Sequence, residues 1–122
     1  MSQEILKTAS CPAKPALHER HLLTPEQAAE LMALFKVLAN DTRLRLLHAL
    51  AKSEELCVNA LAGTLGMKAQ AVSNQLTRLA ERGILGYRRN GNNIYYRIVD
   101  PCVIELLDHG LCLNEDAKAR SR

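Results

Sequence analysis

Residues 58–83 read "VNALAGTLGMKAQAVSNQLTRLAERG", and this stretch decides the fold. From Val58 the pattern predicts a short helix that closes at Gly66, because glycine readily adopts the left-handed conformation that ends helices. A second helix then runs to Gly83, with apolar residues on one face and polar residues on the other. Two helices joined by a tight turn that contains glycine form a helix-turn-helix.

The residues that follow predict a β-hairpin. "ILGYRR" and "NIYYRIV" are rich in β-branched and aromatic residues, and "NGN" separates them. Asn-Gly is a strong hairpin signal because both residues tolerate positive φ. A hairpin at this position is a wing, so the predicted fold is mainly α with a β-hairpin wing (α+β), a winged helix-turn-helix.

Two helices are predicted before this stretch and one after it. "TPEQ" starts the first, with Thr24 as N-cap, Pro25 at the first helical position and Gln27 completing a capping box. Asn40 or Asp41 caps the second. "DPCVIELLDHGLCL" predicts the last helix, and a polar tail follows it. Leu44, Leu47 and Leu50 are predicted on the buried face of the second helix, and the other apolar residues at helical spacing are Leu31, Leu34, Phe35, Leu38, Val103, Leu106, Leu107 and Leu111.

Length and composition indicate one globular domain. The 122 residues are 48% hydrophobic and 24% charged, with a net charge of +3 that suits a polyanion only if the charges cluster. We assign residues 1–22 to a partly flexible arm, 23–114 to the winged helix-turn-helix domain, and 115–122 to a polar tail. No apolar run approaches the roughly 18 residues that span a bilayer, and no signal peptide is recognised, so we expect a cytoplasmic protein. In that compartment the four cysteines are expected to bind metal or act in thiol chemistry rather than form structural disulfides.

The outward face of the second helix carries residue types that read DNA. We predict that Gln70, Asn74 and Gln75 contact base edges, since side-chain amides pair with bases in the major groove. Ser73 and Thr77 are predicted to contact base edges or phosphates, and Lys68 and Arg78 are predicted to contact the DNA backbone. The wing adds Arg88, Arg89, Asn90 and Asn92. A merely solvated face is the alternative, but a helix-turn-helix beside a basic wing favours DNA binding.

Three stretches, "VLANDTRLRLLHAL", "ELCVNALAGTLGMKAQAVSNQLTRLAERGIL" and "YRRNGNNIYYRI", resemble the ArsR/SmtB family of metal-responsive repressors. The resemblance covers roughly residues 30 to 100. It implies a homodimer, held by the first and last helices, on palindromic double-stranded operator DNA. It also implies that an inducer ion releases the dimer from the operator. Lys68 departs from the family, whose members often carry a capping Ser or Thr there.

The resemblance implies two candidate inducer sites. In the first, Cys57 of "ELCV" is joined by Cys11, and more weakly by His18, from the N-terminal arm. Relatives often place a second Cys or an Asp soon after this motif, where the chain has Asn59 and Ala60. Two thiolates or three mixed ligands therefore fit better than a four-coordinate site, and a buried packing role for Cys57 is the alternative.

The second candidate lies in the last helix, where Asp100-x-Cys102 and His109-x-x-Cys112 match the spacing of the family's ligand pairs. Cys102 and Cys112 are about 15 Å apart along one helix, so they can share an ion only across a dimer axis. Thiolates in place of His and carboxylate favour soft ions, namely Hg, Cd, Pb, As or Sb. No catalytic cofactor is expected.

Two other functions are weighed against this one. The same fold can respond to thiol oxidation, sulfide or persulfide through its cysteines. A binding module without a regulatory role, or a small enzyme, is the third reading. No nucleophile-base pair, phosphate loop or catalytic carboxylate pair is recognised in the sequence, so we do not expect an enzyme.

Overall fold

The computed structural model describes residues 13–121, and within them it confirms the winged helix-turn-helix. A short 3-10 helix, Leu17–Glu19, precedes the main elements. In chain order these are α1 Pro25–Leu38, α2 Asp41–Lys52, β1 Leu56–Cys57, α3 Val58–Leu65, α4 Ala69–Glu81, β2 Leu85–Asn90, β3 Asn93–Ile98 and α5 Pro101–Arg120. Helices α3 and α4 form the helix-turn-helix, and β2 and β3 form the wing.

The predicted helix starts have the expected caps. Thr24 Oγ1 accepts from the Gln27 backbone N–H at 3.1 Å, and Gln27 Oε1 accepts from the Thr24 N–H at 3.0 Å, which confirms the capping box. Of the two candidates for the next cap, Asn40 is the N-cap, because its side chain accepts from the Arg43 N–H at 3.0 Å. Lys68 is the N-cap residue of α4 and makes no side-chain cap bond.

The core is formed by leucines from α2, α3 and α4 against the base of the wing. Val72, Leu76 and Leu79 are fully buried, as predicted. The prediction that Leu44 is buried is wrong, because it is 40% exposed and Leu46 lies in the core instead. The buried stripe of α2 passes through residues 46, 47 and 50, which places Leu44 on the neighbouring stripe, beside α1 and α5.

The wing sheet has a third strand within the described residues. β1 pairs antiparallel with β3, so the strand order is β1-β3-β2, and Cys57 lies opposite Tyr95. The sequence does not predict this pairing. In the wing turn, Gly91 has φ of 65° and no described non-glycine residue has positive φ. The turn therefore needs positive φ only at Gly91, not at Asn90 as well.

The last helix is longer than the sequence predicts. α5 continues through "NEDAKAR" to Arg120, because Glu, Ala, Lys and Arg form helices readily and the cations of its last turn suit the helix dipole. None of its 20 residues is buried, and Leu38 is the one buried residue of α1. Both helices thus present apolar side chains that the protomer leaves uncovered. Along residues 13–121, no helix has the length and apolar character to cross a membrane.

Two glycines near the end of α3 are expected to respond oppositely to the same substitution. Gly66 ends the helix with φ of 65° and ψ of 38°, where a Cβ costs roughly 1–2 kcal/mol. Gly63 lies inside the helix, and a Cβ at this position would have no atom within 4 Å, so alanine there stabilises by about 0.5–1 kcal/mol. Urea unfolding followed by circular dichroism should show a lower midpoint for Gly66→Ala and a higher one for Gly63→Ala. Equal midpoints would contradict the left-handed cap.

Candidate nucleic-acid interface and cysteine residues

The exposed face of α4 presents polar side chains to solvent. Lys68, Gln70, Asn74, Thr77 and Arg78 are exposed. Gln70 Nε2 donates to Asn74 Oδ1 at 3.1 Å, so the two amides, one turn apart, form a pair. The pair leaves the Gln70 carbonyl oxygen and further amide hydrogens for bases, which is the donor and acceptor combination that reads adenine.

The remaining predicted residues of α4 differ in how available they are. Thr77 Oγ1 donates to the Ser73 carbonyl at 2.9 Å, which directs its proton into the helix and leaves its lone pairs as acceptors. Ser73 is half-buried. Lys68 precedes the helix and Arg78 lies in its last turn, so the two cations stand near opposite ends of α4. That spacing suits contacts with phosphates on either side of a groove.

Gln75 points toward the protein. Its Oε1 accepts from Arg43 Nε at 2.6 Å, and Arg43 Nη1 also donates to the Val37 carbonyl at 2.9 Å. The sequence pattern places Gln75 among the base contacts and gives no role to Arg43. One signal was available, because a cation in the first turn of a helix opposes the dipole and needs a specific partner.

Arg88 of the wing is also held within the protomer. Its Nε donates to Glu55 Oε1 at 2.8 Å, its Nη2 forms an ion pair with the same carboxylate, and its guanidinium lies 4.9 Å from the Tyr95 ring centroid. The hydrogen bond to Glu55 raises the pKa of the Arg88 guanidinium. Arg89 is exposed nearer the tip of the wing, as are Asn90 and Asn92.

Removing the Glu55 charge is expected to strengthen DNA binding. In Glu55→Gln the Arg88 guanidinium loses its ionic partner and becomes available to a phosphate, so the slope of log affinity against log salt should steepen by about 0.9 for each protomer that contacts the DNA. Fluorescence anisotropy over a range of salt concentrations measures this slope. In an Arg88→Gln background the Glu55→Gln change should leave the slope unaltered, and a steeper slope there would mean that Arg88 is not the contact.

The cysteines of the described residues lie in three different settings. Cys57 ends β1 and is the N-cap residue of α3, half-buried with a free thiol. Cys112 is exposed and also free, with Sγ 3.8 Å from Asp116 Oδ2. Cys102 is disulfide-bonded, whereas no structural disulfide was expected among the four cysteines. Cys11 lies outside the described residues.

The weaker candidate ligands do not complete a metal site with these thiols among the described residues. The Asp100 carboxylate accepts from the Cys102 N–H at 2.9 Å, so it caps α5. His109 is exposed on α5, and His18 is exposed in the 3-10 helix. Between residues 13 and 121, no three His, Cys, Asp or Glu side chains stand together in a group that could hold a metal ion. A complete ligand set would therefore need a second protomer or the arm.

An apolar groove of about 730 Å³ runs between α1, α2 and α5. Its lining includes Phe35 and Leu111, which are 48% and 53% exposed. Isolated exposed leucines are ordinary, but a continuous apolar face on two adjacent helices marks a protein interface. The groove thus lies where the predicted dimer contact would be.

Known proteins match both the sequence and this fold. A sequence family described as a helix-turn-helix domain matches residues 38–87. A transcriptional repressor SmtB homolog from Synechocystis is 40% identical over 85 residues, which are 70% of this chain and 64% of that protein. The chain thus spans somewhat less than two thirds of that relative's length.

Solved structures extend the similarity beyond the helix-turn-helix. The crystal structure of the AntR antimony-specific transcriptional repressor is 63% identical, with a TM-score of 0.75, covering 90% of this chain and 99% of that one. A homodimeric winged helix-turn-helix DNA-binding domain from Mycobacterium bovis is 30% identical, with a TM-score of 0.68, covering 83% of this chain and 95% of that one. The chain belongs to the ArsR/SmtB family of metal-responsive winged-helix transcriptional repressors.

Proposed function

We propose that this protein is a cytoplasmic homodimeric repressor that binds palindromic operator DNA and leaves it when a soft thiophilic ion binds cysteine thiolates. One observation carries the proposal. Cys57 is at once the N-cap residue of the first helix of the helix-turn-helix and the backbone partner of Tyr95 in the wing. An ion bound there acts on the helix-turn-helix through α3 and on the wing through β3.

The DNA contact is assigned to the exposed side of α4 and the tip of the wing. The Gln70–Asn74 amide pair reads bases, Lys68 and Arg78 contact phosphates, and Arg89 contacts the backbone from the wing. One recognition helix reads only a few base pairs, so two copies related by a twofold axis give a palindromic site. The apolar groove between α1, α2 and α5 supplies the face on which the second copy packs.

The inducer is assigned to the thiophilic class because its candidate ligands are thiols. Sulfur ligands favour soft ions over Mg²⁺ or Ca²⁺. The name of the 63% identical repressor specifies antimony, so trivalent antimony is our first candidate, followed by As, Hg, Cd and Pb. Its ligands come from Cys57, Cys102, Cys112 and Cys11, drawn from more than one protomer or from the arm.

Operator binding in the presence of candidate ions tests the proposal. DNA selected by the reduced protein from a random library is titrated by fluorescence anisotropy, with antimonyl tartrate, arsenite or Cd²⁺ added, and Mg²⁺ as a control. We expect one or more thiophilic ions to weaken binding by about 5- to 150-fold, the range of ordinary allosteric coupling, and Mg²⁺ to have no effect. Absence of a selected sequence, or no response to any thiophilic ion, would refute it.

A second candidate function is a thiol-redox response, and the disulfide at Cys102 favours it. Two thiols form a disulfide by passing two protons and two electrons to an oxidant, here diamide, which becomes its hydrazine. The sulfur proximity that allows a disulfide also allows two thiolates to share a soft ion, so the two functions must be separated by experiment. Release of DNA by diamide or a persulfide donor in chelator-treated protein would favour the redox function. Release only by an ion would favour the first.

A further inference from the structure

Arg43 connects three helices through its side chain. It belongs to the first turn of α2, its Nη1 donates to the Val37 carbonyl in the last turn of α1, and its Nε donates to Gln75 on α4. The Val37 carbonyl is one of the four that a helix C-terminus leaves without an intrahelical donor. A guanidinium satisfies it and still has a second edge for Gln75.

Gln75 is placed differently from the other polar residues of α4. It is half-buried and follows the exposed Asn74, at the boundary between the outward face and the buried face of Val72 and Leu76. Its carbonyl oxygen, 2.6 Å from Arg43 Nε, is turned toward α2. With this oxygen turned toward α2, the side chain does not present outward the amide pair, donor and acceptor together, that adenine requires.

We infer that Gln75 is a positioning residue that fixes the recognition helix against α1 and α2 through Arg43, and that it does not read bases. The inference rests on the proposed function. Because α1 carries part of the apolar groove, the Arg43–Gln75 contact also sets where α4 stands relative to the second protomer. It therefore controls the spacing of two recognition helices rather than the affinity of one.

A carboxylate at position 75 separates positioning from reading. Gln75→Glu keeps an acceptor for Arg43, whereas Gln75→Ala removes it, and Asn74→Asp is the matched control on the exposed face. The probes are the duplex selected by the wild-type protein and a half-site cut from it, with affinities measured by anisotropy. We expect Gln75→Glu to bind the full site within about threefold of wild type. Gln75→Ala should bind it at least about tenfold more weakly, because each protomer of the dimer loses a hydrogen bond to a charged group.

The half-site and the control give the remaining expectations. On the half-site, Gln75→Ala should bind within about threefold of wild type, because no spacing is required, while Asn74→Asp should lose about tenfold or more on both probes. In an Arg43→Met background the Gln75→Ala change should have no further effect on affinity for the full site, since the two changes remove the same contact. This double-mutant test holds even if the single variants lower stability, which thermal unfolding reports.

Several outcomes would overturn the positioning role. Gln75→Glu binding as weakly as Asn74→Asp would show that position 75 faces DNA. A loss for Gln75→Ala on the half-site as large as that for Asn74→Asp would show a direct contact, and no loss on either probe would show that the Arg43 bond does not position α4. Failure of the proposed function looks different, because the wild-type protein would then select no sequence at all.

Discussion

Leu111→Glu is expected to separate the homodimer and to weaken operator binding by about a thousandfold or more, toward the protein's non-specific affinity. Leu111 lines the apolar groove, and a carboxylate buried there by a second protomer would lose its hydration. A protomer alone presents one recognition helix and loses the contribution of the second half-site. Sedimentation velocity measures the oligomeric state, and anisotropy measures affinity for the selected duplex.

Leu113→Glu is the matched control for this experiment. Leu113 is on the same helix and is more exposed, at 65% against 53% for Leu111, but it does not line the groove. It should remain dimeric and bind the operator with nearly wild-type affinity. If Leu111→Glu is also dimeric and fully active, the groove is not the contact between protomers.

Replacement of the cysteines is expected to abolish induction while preserving DNA binding. In a variant with all four cysteines changed to serine, operator affinity should stay within about threefold of wild type, because no cysteine lies on the exposed face of α4, while the response to antimonyl tartrate disappears. The sulfur-to-metal charge-transfer absorbance of the ion-loaded protein should disappear together with this response. Retained release by the ion would refute thiolate sensing altogether.

Single substitutions then identify the ligands. Cys57→Ser should lose most of the response if the ion acts through β1 and α3, whereas Cys102→Ser and Cys112→Ser should lose it if the ion binds the last helix. X-ray absorption on each ion-loaded variant counts the sulfur ligands of the ion. Substitution of a cysteine that is a ligand should lower this count by one. A variant that keeps both the count and the release excludes its cysteine from the site.

The fold was predictable because its signals are local. The capping box at Thr24, the left-handed Gly66, the apolar stripe of Val72, Leu76 and Leu79, and the glycine of the wing turn each depend on a few neighbouring residues. Such patterns can be recognised directly in the sequence from helix and strand periodicity and from turn residues. The short strand at "ELCV" was harder, since pairing over two residues depends on where β3 lies rather than on local sequence.

The side-chain partners at the site were not predictable in this way. Gln75 and Arg88 were both predicted as DNA contacts, because each has a suitable residue type and lies in the recognition helix or the wing. Their partners, Arg43 and Glu55, are 32 and 33 residues away in the sequence, and only the packing of the elements brings each pair together. A pattern within one helix or hairpin shows which side is polar but not which polar groups are already engaged.

The pairing of β1 with β3 separates what the protein senses from how it responds. The ladder is made of backbone N–H and C=O groups, which every residue except proline supplies, so position 57 can change its side chain and still hold Tyr95. In the function proposed above, selectivity for an inducer resides in the side chain at that position and in its partners. A descendant gene could therefore acquire a different chemical specificity by a few substitutions and inherit the existing mechanical link to the wing unchanged.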